Sequence, residues 1–222
     1  MEQYVVKILS IRNVTHNVRA YRIEKPSGYR FEPGQATDVS INKEGWKEEK
    51  RPFTFTSLNE DPYLEFTIKS YHDHPGVTHQ LYQLKAGDEL IIRDVWGAIQ
   101  YRGEGCFVAG GAGITPFVAI FRQLFRDKAV GRNTLLFSNK TAGDIIYRAE
   151  FDEILGKNAV YVLTSEDNPS YRKGPIDKAF LQREIKDLTQ PFYVCGPDQM
   201  VADLTKTLTE LGADPETVVF EK

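Results

Sequence analysis

The stretch Val108-Ala109-Gly110-Gly111-Ala112-Gly113-Ile114-Thr115-Pro116 decides the fold of this chain. Apolar residues lead into it, glycines fill its middle, and a threonine followed by proline suits the first turn of a helix. Glycine lacks the Cβ that would block a phosphate, and the free N–H groups of a helix start attract anions. The pattern therefore predicts a dinucleotide pyrophosphate site between a buried strand and a helix. It is not the usual G-x-G-x-x-G, and close packing alone is an alternative reason for such a turn.

The sequence around this turn alternates apolar runs with helical patterns. The apolar runs are 106–109, 134–137, 160–163 and 192–195, with a last strand at 218–220. Helical patterns lie around 116–126, 144–155, 176–184 and 198–211. Continuous apolar runs are typical of parallel strands that are covered on both faces, and their alternation with helices predicts a doubly wound α/β sheet.

The chain before this region follows a different pattern. Leu64, Phe66 and Ile68 alternate with polar residues, as expected of a half-buried strand, and Pro- and Gly-containing turns separate several such segments. One helical exception, Val77 to Leu84, predicts a short helix. We therefore expect two domains: an N-terminal antiparallel six-stranded Greek-key β-barrel over 1–100, and the α/β doubly wound parallel sheet over 101–222.

Composition excludes several classes of function. The 222 residues include 28 Lys and Arg against 31 Asp and Glu, a formal net charge of −3, so nucleic acid is not expected as a partner. The two cysteines, Cys106 and Cys195, form no CxxC pair and cannot supply a disulfide framework, a zinc knuckle or an iron–sulfur cluster. The uncharged stretch 105–121 is too short and too rich in glycine for a membrane helix. No targeting signal precedes it, so we expect a cytoplasmic protein without membrane insertion.

Two further segments carry groups suited to cofactors. Arg51-Pro52-Phe53-Thr54-Phe55-Thr56-Ser57 alternates a guanidinium and aromatic rings with hydroxyls, groups that can grip a phosphate, stack on a planar ring and bind a ring nitrogen. Cys195-Gly196-Pro197-Asp198-Gln199-Met200 places a thiol at the end of a parallel strand, where ligands of α/β sheets bind. Taken singly, the two segments are better explained as an ordinary edge strand and a buried core cysteine.

In this order and spacing, the three segments resemble the ferredoxin–NADP⁺ reductase superfamily over essentially the whole chain. The superfamily joins a flavin-binding barrel to a nicotinamide-binding α/β domain. Its R-x-[YF]-[ST] motif matches Arg51, Pro52, Phe53 and Thr54; its G-G-x-G-[IV]-T-P motif matches Gly110, Gly111, Gly113, Ile114, Thr115 and Pro116; its C-G-P-x-x-M motif matches Cys195, Gly196, Pro197 and Met200. The resemblance implies Arg51 on the flavin phosphates, Phe53 against the flavin, Thr54 near its N5 and Cys195 beside the nicotinamide. Thr54 and Cys195 are thus the expected catalytic residues.

A fourth motif of the superfamily, a G-x-x-[ST] at a helix start that holds the FAD pyrophosphate, is only approximately present. The corresponding residues are Gly76, Val77 and Thr78, with the threonine two positions after the glycine instead of three. The strand ahead of them, with Lys69, Ser70 and Tyr71, is expected to offer backbone contacts to the flavin. FAD is favoured over FMN on this basis.

Two features leave alternatives open. Phe220 takes the place of the aromatic residue that covers the flavin in relatives similar to cytochrome b5 reductase, or else Glu221 takes the place of a C-terminal carboxylate and that face is uncovered. The segment Phe137 to Ile145 looks like the F-x-N-x-T-x-x-D-I of NADH-using members, whereas Lys140 and Arg148 could hold the 2′-phosphate of NADPH. Ser138 and Lys140 are expected at the nucleotide in either case, with NADH slightly favoured.

The histidines His72, His74 and His79 could also be interpreted as a metal cluster, but no fourth ligand is evident, and we expect no metal. The resemblance implies a FAD-dependent NAD(P)H oxidoreductase that passes a hydride from the nicotinamide to FAD and electrons onward. Its acceptor would be a carrier such as ferredoxin, flavodoxin or a cytochrome, or a small molecule. The alternatives are an electron-transfer subunit without turnover of its own and, last, a flavin-free nicotinamide dehydrogenase.

Overall fold

The structure is a computed structural model that describes residues 2–71, 75–97 and 99–220. The chain divides into two compact units, Met1–Gly97 and Ala98–Lys222. No helix among the described residues is both long enough and apolar enough to cross a membrane. Each unit is built around its own sheet.

The first unit is an antiparallel barrel. Its elements are β1 (Gln3–Asn13), β2 (Val18–Glu24), β3 (Ala36–Ile41), β4 (Arg51–Thr54), β5 (Tyr63–Lys69), α1 (Val77–Tyr82) and β6 (Glu89–Trp96). The strand order is β4-β3-β6-β1-β2-β5. A bridge between Phe55 and Phe66 joins the two edges of this sheet and closes the barrel, as the sequence pattern predicts.

The barrel core follows the alternation in the sequence. Leu64, Phe66 and Ile68 of β5 are buried in it, and Phe55 stacks on Phe31 with ring centroids 4.3 Å apart. The polar face of β5 is different from the expected half-exposed face, because Glu65 is also buried. Burial of a carboxylate requires partners, and β2 supplies one through Arg22.

The second unit is a parallel sheet. Its elements are β7 (Cys106–Gly110), α2 (Thr115–Arg126), β8 (Thr134–Asn139), α3 (Arg148–Leu155), β9 (Ala159–Leu163), β10 (Arg172–Lys173), α4 (Lys178–Glu184), β11 (Phe192–Cys195), α5 (Asp198–Leu211) and β12 (Val218–Phe220). The strand order is β10-β9-β8-β7-β11-β12. Helices α4 and α5 pack on one face with Val108 and Leu136, whereas α2 and α3 pack their phenylalanines on the other face. The sheet is doubly wound, as predicted.

The predicted helix from 144 to 155 is wrong at its start. Residues 142–144 form a 3₁₀ turn that Asp144 closes by accepting hydrogen bonds from the N–H and the hydroxyl of Thr141. Tyr147 then adopts a left-handed backbone (φ 54°), and α3 begins only at Arg148. Similarly, α4 begins at Lys178 instead of 176, because the Asp177 carboxylate caps it by accepting from the N–H of Phe180 at 2.8 Å. The two-residue strand β10 is not evident from the sequence.

Candidate functional site

The glycine turn lies where the sequence predicts it. Strand β7 ends at Gly110, residues 111–114 form a 3₁₀ turn, and α2 begins at Thr115 with Pro116 in its first turn. The Thr115 hydroxyl donates to the carbonyl of Ala112 at 3.1 Å and fixes the turn. Gly111 has φ 54°, and a Cβ built on it would meet no atom within 4 Å. A left-handed residue with open space above it offers backbone N–H groups to an anion.

Gly110 and Gly113 have another role, which is close contact with the end of β11. A Cβ on Gly110 would lie 2.4 Å from the Met200 sulfur, and one on Gly113 would lie 2.4 Å from the carbonyl oxygen of Cys195. A Cβ on Gly196 would in turn lie 3.2 Å from the Cα of Gly110. Gly110 and Gly113 are therefore needed for close packing, whereas Gly111 is the glycine whose conformation suits ligand binding. The sequence left close packing and phosphate binding as alternative reasons for the glycines. In the structure, Gly110 and Gly113 are required by packing, and Gly111 is required by its left-handed backbone.

The thiol of Cys195 lies beside the turn. Cys195 pairs with Ala109 across the parallel strands β11 and β7, and the residue is buried, at 8% exposed. A pocket of about 920 Å³ adjoins it, lined by β11 and by one side of α5. Val194, Cys195, Gly196 and Val201 are among its lining residues. The G-G-x-G and C-G-P motifs are thus brought together at the carboxyl ends of neighbouring strands, where ligands of α/β sheets bind.

In the first unit, the R-P-F-T motif forms β4, paired with β3. Arg51 is exposed, and its Nη1 donates to the carbonyl of Lys50 at 2.6 Å; no other described atom takes its remaining N–H groups. Thr54 is 7% exposed. Phe53 is half-buried and packs against the barrel core, with its ring centroid 6.4 Å from that of Phe66.

The end of β5 is tied to the start of α1. The N–H of Ser70 donates to the carbonyl of Asn17 at 2.8 Å, and its hydroxyl donates to the carbonyl of Thr78 at 3.0 Å. Gly76 immediately precedes the helix, Val77 is buried in the barrel core, and Tyr71 is 48% exposed. The Lys69 ammonium lies 5.9 Å from the centre of the Tyr71 ring. The two segments expected to contact FAD here, the end of β5 and the start of α1, are therefore held together in space.

Two carboxylates hydrogen-bond to the segment that follows β8, the strand in which Ser138 pairs with Gly110. Asp144 accepts from the Thr141 N–H at 2.9 Å, and Glu166 accepts from the Ala142 N–H at 2.8 Å. Hydrogen bonds from Asn168 and from the Ala142 N–H hold the pKa of Glu166 below its usual range. Lys140 is exposed. The sequence did not reveal Glu166, because its hydrogen bond to the Ala142 N–H joins the segment after β9 to the segment after β8.

Some predicted residues lie outside the described part of the chain. His72 and His74 are among them, so their metal interpretation has no structural account here. Phe220 ends β12 opposite Val194, but its side chain is outside the described residues, as is Glu221. Among the residues that the structure does describe, no group of three or more His, Cys, Asp or Glu side chains could hold a metal ion.

The donor sets fit the two cofactors that the motifs imply. The spare N–H groups of the Arg51 guanidinium suit a diphosphate, which arginine can bind through two parallel hydrogen bonds. The open space above Gly111 and the pocket beside Cys195 suit a dinucleotide laid across the ends of β7 and β11. Both fits rest on groups that the fold of the protein leaves accessible.

Comparison with known proteins agrees with this interpretation. Two family models match, FAD-binding domain over residues 3–91 and Oxidoreductase NAD-binding domain over 107–206. NADH-cytochrome b5 reductase 2 of Coccidioides immitis (strain RS) is 31% identical, in an alignment that covers 96% of this chain and 75% of the relative. NADH-cytochrome b5 reductase 1 of Aspergillus terreus is 30% identical, over 90% of this chain and 75% of the relative.

The fold is also shared with a solved structure, a ferredoxin NADP⁺ reductase from Neisseria gonorrhoeae with bound FAD and NADP. The TM-score is 0.86 at 21% identity, and the match covers 100% of this chain and 98% of the other. The predicted fold class and cofactors are thereby confirmed. Since relatives at 30% identity or above share most of their length with it, this chain belongs to the NADH-cytochrome b5 reductase family, and it is a FAD-dependent NAD(P)H oxidoreductase.

Proposed function

We propose that this chain oxidises NADH at the second unit, reduces FAD bound at the first, and delivers electrons to a small carrier of the cytochrome b5 type. Bound FAD supplies the chemistry, because it accepts a hydride and releases electrons singly or in pairs. The protein's part is to bind and orient. The observation that carries the proposal is the direct packing of the Gly110–Gly113 turn against the Cys195 end of β11.

In the first unit, Arg51 binds the FAD phosphates and the Thr54 hydroxyl hydrogen-bonds the flavin near N5. Phe53 and the adjoining Pro52 shape the edge strand on which these groups are displayed. The backbone of Lys69, Ser70 and Tyr71, together with the helix start at Gly76, Val77 and Thr78, contacts the rest of FAD. The Ser70–Thr78 hydrogen bond supports this assignment, because it joins the two segments.

In the second unit, the turn of Gly110, Gly111 and Gly113 binds the pyrophosphate of NADH through N–H groups of the turn and of the first residues of α2. Ile114, Thr115 and Pro116 fix the start of that helix, and the Ile114 side chain is fully buried. The Cys195 thiol orients the nicotinamide. Gly196, Pro197 and Met200 pack against Gly110 and hold the thiol in place.

The end of β8 favours NADH over NADPH. A 2′-phosphate there would need the N–H groups of Thr141 and Ala142, but Asp144 and Glu166 already accept from both of them. Their negative charges also repel a phosphate. Of the two cations that the sequence offers for a 2′-phosphate, Arg148 already contacts Asp152 and Tyr171, which leaves exposed Lys140, two residues beyond Ser138. The two carboxylates outweigh its single charge. NADH lacks the 2′-phosphate, so it needs neither of these N–H groups and is not repelled by the two carboxylates.

The test is the substitution Glu166→Gln, measured as the ratio of kcat/KM for NADH to that for NADPH. Loss of the charge should lower this ratio about tenfold. Asp167→Asn is the matched control, because that neighbouring side chain is 81% exposed and its charge is screened by water. An unchanged ratio in Glu166→Gln, or an equal change in the control, would contradict the assignment.

The acceptor is tested by comparison among carriers. Reduction of cytochrome b5, a ferredoxin and a flavodoxin by NADH should be measured with the FAD-loaded protein at low ionic strength and again at high ionic strength. We expect the largest kcat/KM with cytochrome b5, reduced by salt as for other charge-steered encounters. A higher kcat/KM with ferredoxin or flavodoxin would instead identify that carrier class.

A further inference from the structure

A buried polar cluster adjoins the R-P-F-T motif. The cluster, here called the Glu65 cluster, consists of Arg22, Thr56, Ser57, Glu65 and Thr67. Thr56 Oγ1 donates to Glu65 Oε1 at 3.1 Å and lies 3.1 Å from Thr67 Oγ1. The Glu65 N–H donates to Ser57 Oγ at 2.9 Å, and Arg22 Nε contacts Glu65 Oε2 at 3.1 Å.

The cluster shares a strand face with Thr54. Phe66 points into the barrel core, so the flanking Glu65 and Thr67 lie on the opposite face of β5. The same alternation places Thr54 and Thr56 on one face, with Phe55 on the other. The antiparallel bridge between Phe55 and Phe66 then sets Thr56 across from Glu65 and Thr54 across from Thr67.

Stability does not explain the cluster. Glu65 is 2% exposed, whereas the Arg22 side chain that pairs with it is 46% exposed, so the anion is buried more deeply than its cation. Replacing a buried ion pair by apolar residues is often neutral or stabilising. Apolar side chains at Thr56 and Thr67 would suit a β-strand equally well. A buried carboxylate beside a cofactor segment therefore calls for a functional reason.

The carboxylate also sets the direction of the hydroxyls. The Thr56 hydroxyl has two acceptors on Glu65, the carboxylate Oε1 at 3.1 Å and the backbone carbonyl at 3.2 Å, and its proton is assigned to this residue. The contact between Thr56 and Thr67 then has Thr67 as its donor. The O–H dipoles are aligned toward Glu65, in surroundings where water screens charges and dipoles little.

We propose that Glu65 is a positioning residue that lowers the redox potential of the flavin bound at Thr54. This proposal rests on the proposed function, which puts the flavin beside Thr54. A fixed negative charge on the adjoining buried surface opposes the addition of electrons to the flavin. Arg22, held over the ring of Tyr63 with its Cζ 4.4 Å from the ring centroid, offsets part of that charge. The negative charge of Glu65 lowers the redox potential of the flavin, and the positive charge of Arg22 raises it by a smaller amount.

The test is a redox titration of the FAD-loaded protein. Glu65→Gln keeps the size of the side chain and removes the charge, so the midpoint potential should rise by the equivalent of a tenfold change in the reduction equilibrium, about 30 mV for a two-electron couple. Arg22→Gln should shift it in the opposite direction, because it leaves the carboxylate without its cation. Because Arg22 lies on another strand and is half-exposed, the two substitutions test the charge pair independently, and either one that folds gives a readable potential.

The control is Glu24→Gln, because Glu24 is an exposed carboxylate two residues from Arg22 on β2. The midpoint potential of the flavin in Glu24→Gln should equal that in the unsubstituted protein. FAD affinity, measured by fluorescence quenching, establishes that each variant is loaded. A purely structural cluster would change affinity or unfolding without moving the potential of the loaded protein, and that result would overturn the proposal.

Thr54→Ala separates this proposal from the one on which it rests. If Thr54→Ala shifts the potential and neither Glu65→Gln nor Arg22→Gln does, the role of Glu65 is wrong and the flavin site stands. If FAD is bound and none of the three variants shifts the potential, the placement of the flavin at Arg51–Thr54 is wrong, and the role of Glu65 falls with it. Shifts of the same sign in Glu65→Gln and Arg22→Gln would also overturn the electrostatic account.

Discussion

Thr54 has one side-chain group, a hydroxyl, that can hydrogen-bond to the flavin. Thr54→Ala should slow reduction of bound FAD by NADH about tenfold while changing FAD affinity less, because the proposed function assigns most of the FAD contacts to Arg51 and the α1 segment. Stopped-flow absorbance under anaerobic conditions measures the first quantity, and fluorescence titration measures the second. Thr54→Ser, which restores the hydroxyl, is the control and should recover most of the rate. A Thr54→Ala protein with an unchanged reduction rate would remove the residue from the mechanism.

The two cysteines should differ in function. Burial raises the pKa of Cys106 to about 11, so its thiol is protonated and unreactive at pH 8. We expect Cys106 to escape alkylation by iodoacetamide in the folded protein at about pH 8 and to react after denaturation, as read by peptide mass spectrometry. Cys195→Ser should instead impair NADH oxidation with FAD still bound. Rapid alkylation of Cys106 in the native protein would contradict its burial.

The pKa of Glu166 predicts how coenzyme preference depends on pH. Hydrogen bonds from Asn168 and Ala142 lower that pKa below the usual 4.5. The carboxylate therefore stays charged through the neutral range, and its repulsion of a 2′-phosphate is lost only as the pH falls through the lowered pKa. The ratio of kcat/KM for NADH to that for NADPH should be flat between about pH 7 and 8, which lies above the phosphate's own titration near pH 6. A ratio that rises steeply over that interval would assign the preference to another group.

At the scale of elements, the contact between the glycine turn and the end of β11 is the feature most easily broken. In Gly113→Ala the new Cβ would lie 2.4 Å from the Cys195 carbonyl oxygen and 2.5 Å from the Gly196 nitrogen, so one segment has to move. We expect a loss of about 1–3 kcal/mol in the free energy of unfolding, together with weaker NADH binding. Urea denaturation and a kinetic measurement of the NADH KM check both.

Gly143→Ala is the matched control for that substitution. Gly143 is also a glycine of the second unit, but a Cβ on it would meet only the Thr141 hydroxyl, at 3.8 Å. Its free energy of unfolding should change little. Equal destabilisation by the two substitutions would show that the close contact at Gly113 has no special role.

Elements with a strong hydrophobic period could be predicted from the sequence, and the others could not. The four longer parallel strands and the core of β5 follow from their apolar runs. The delayed start of α3 could not be predicted, because it depends on the Thr141–Asp144 hydrogen bonds and on the left-handed Tyr147. Local propensity does not reveal such side-chain competition with the backbone.

The same limit applies to the site. Each of the three motifs is a continuous stretch of sequence, so its residues could be predicted from the sequence alone. Glu166 and Glu65 could not, because each depends on a partner from another segment: the Ala142 N–H for the first, and Arg22 on the neighbouring strand for the second. The division of the glycines between packing and conformation also needed the position of β11.

At the scale of the whole molecule, the proposed function has FAD bind to the first unit and NADH to the second, so each ligand should stabilise the chain as a whole. Binding to the native state alone raises the apparent unfolding free energy by about 2.7 kcal/mol at a hundredfold excess of ligand over Kd. Thermal unfolding with FAD should show a rise that Arg51→Ala diminishes. A rise of equal size at the same FAD concentration in Arg51→Ala would mean that other residues bind the phosphates.

The most direct test of the central claim is the visible absorption spectrum of the purified protein, recorded before and after anaerobic addition of NADH and, separately, of NADPH. The account predicts a bound-flavin spectrum that NADH bleaches rapidly and NADPH bleaches slowly. A flavin spectrum that neither nucleotide bleaches, or a protein that takes up no flavin when incubated with FAD, would contradict it.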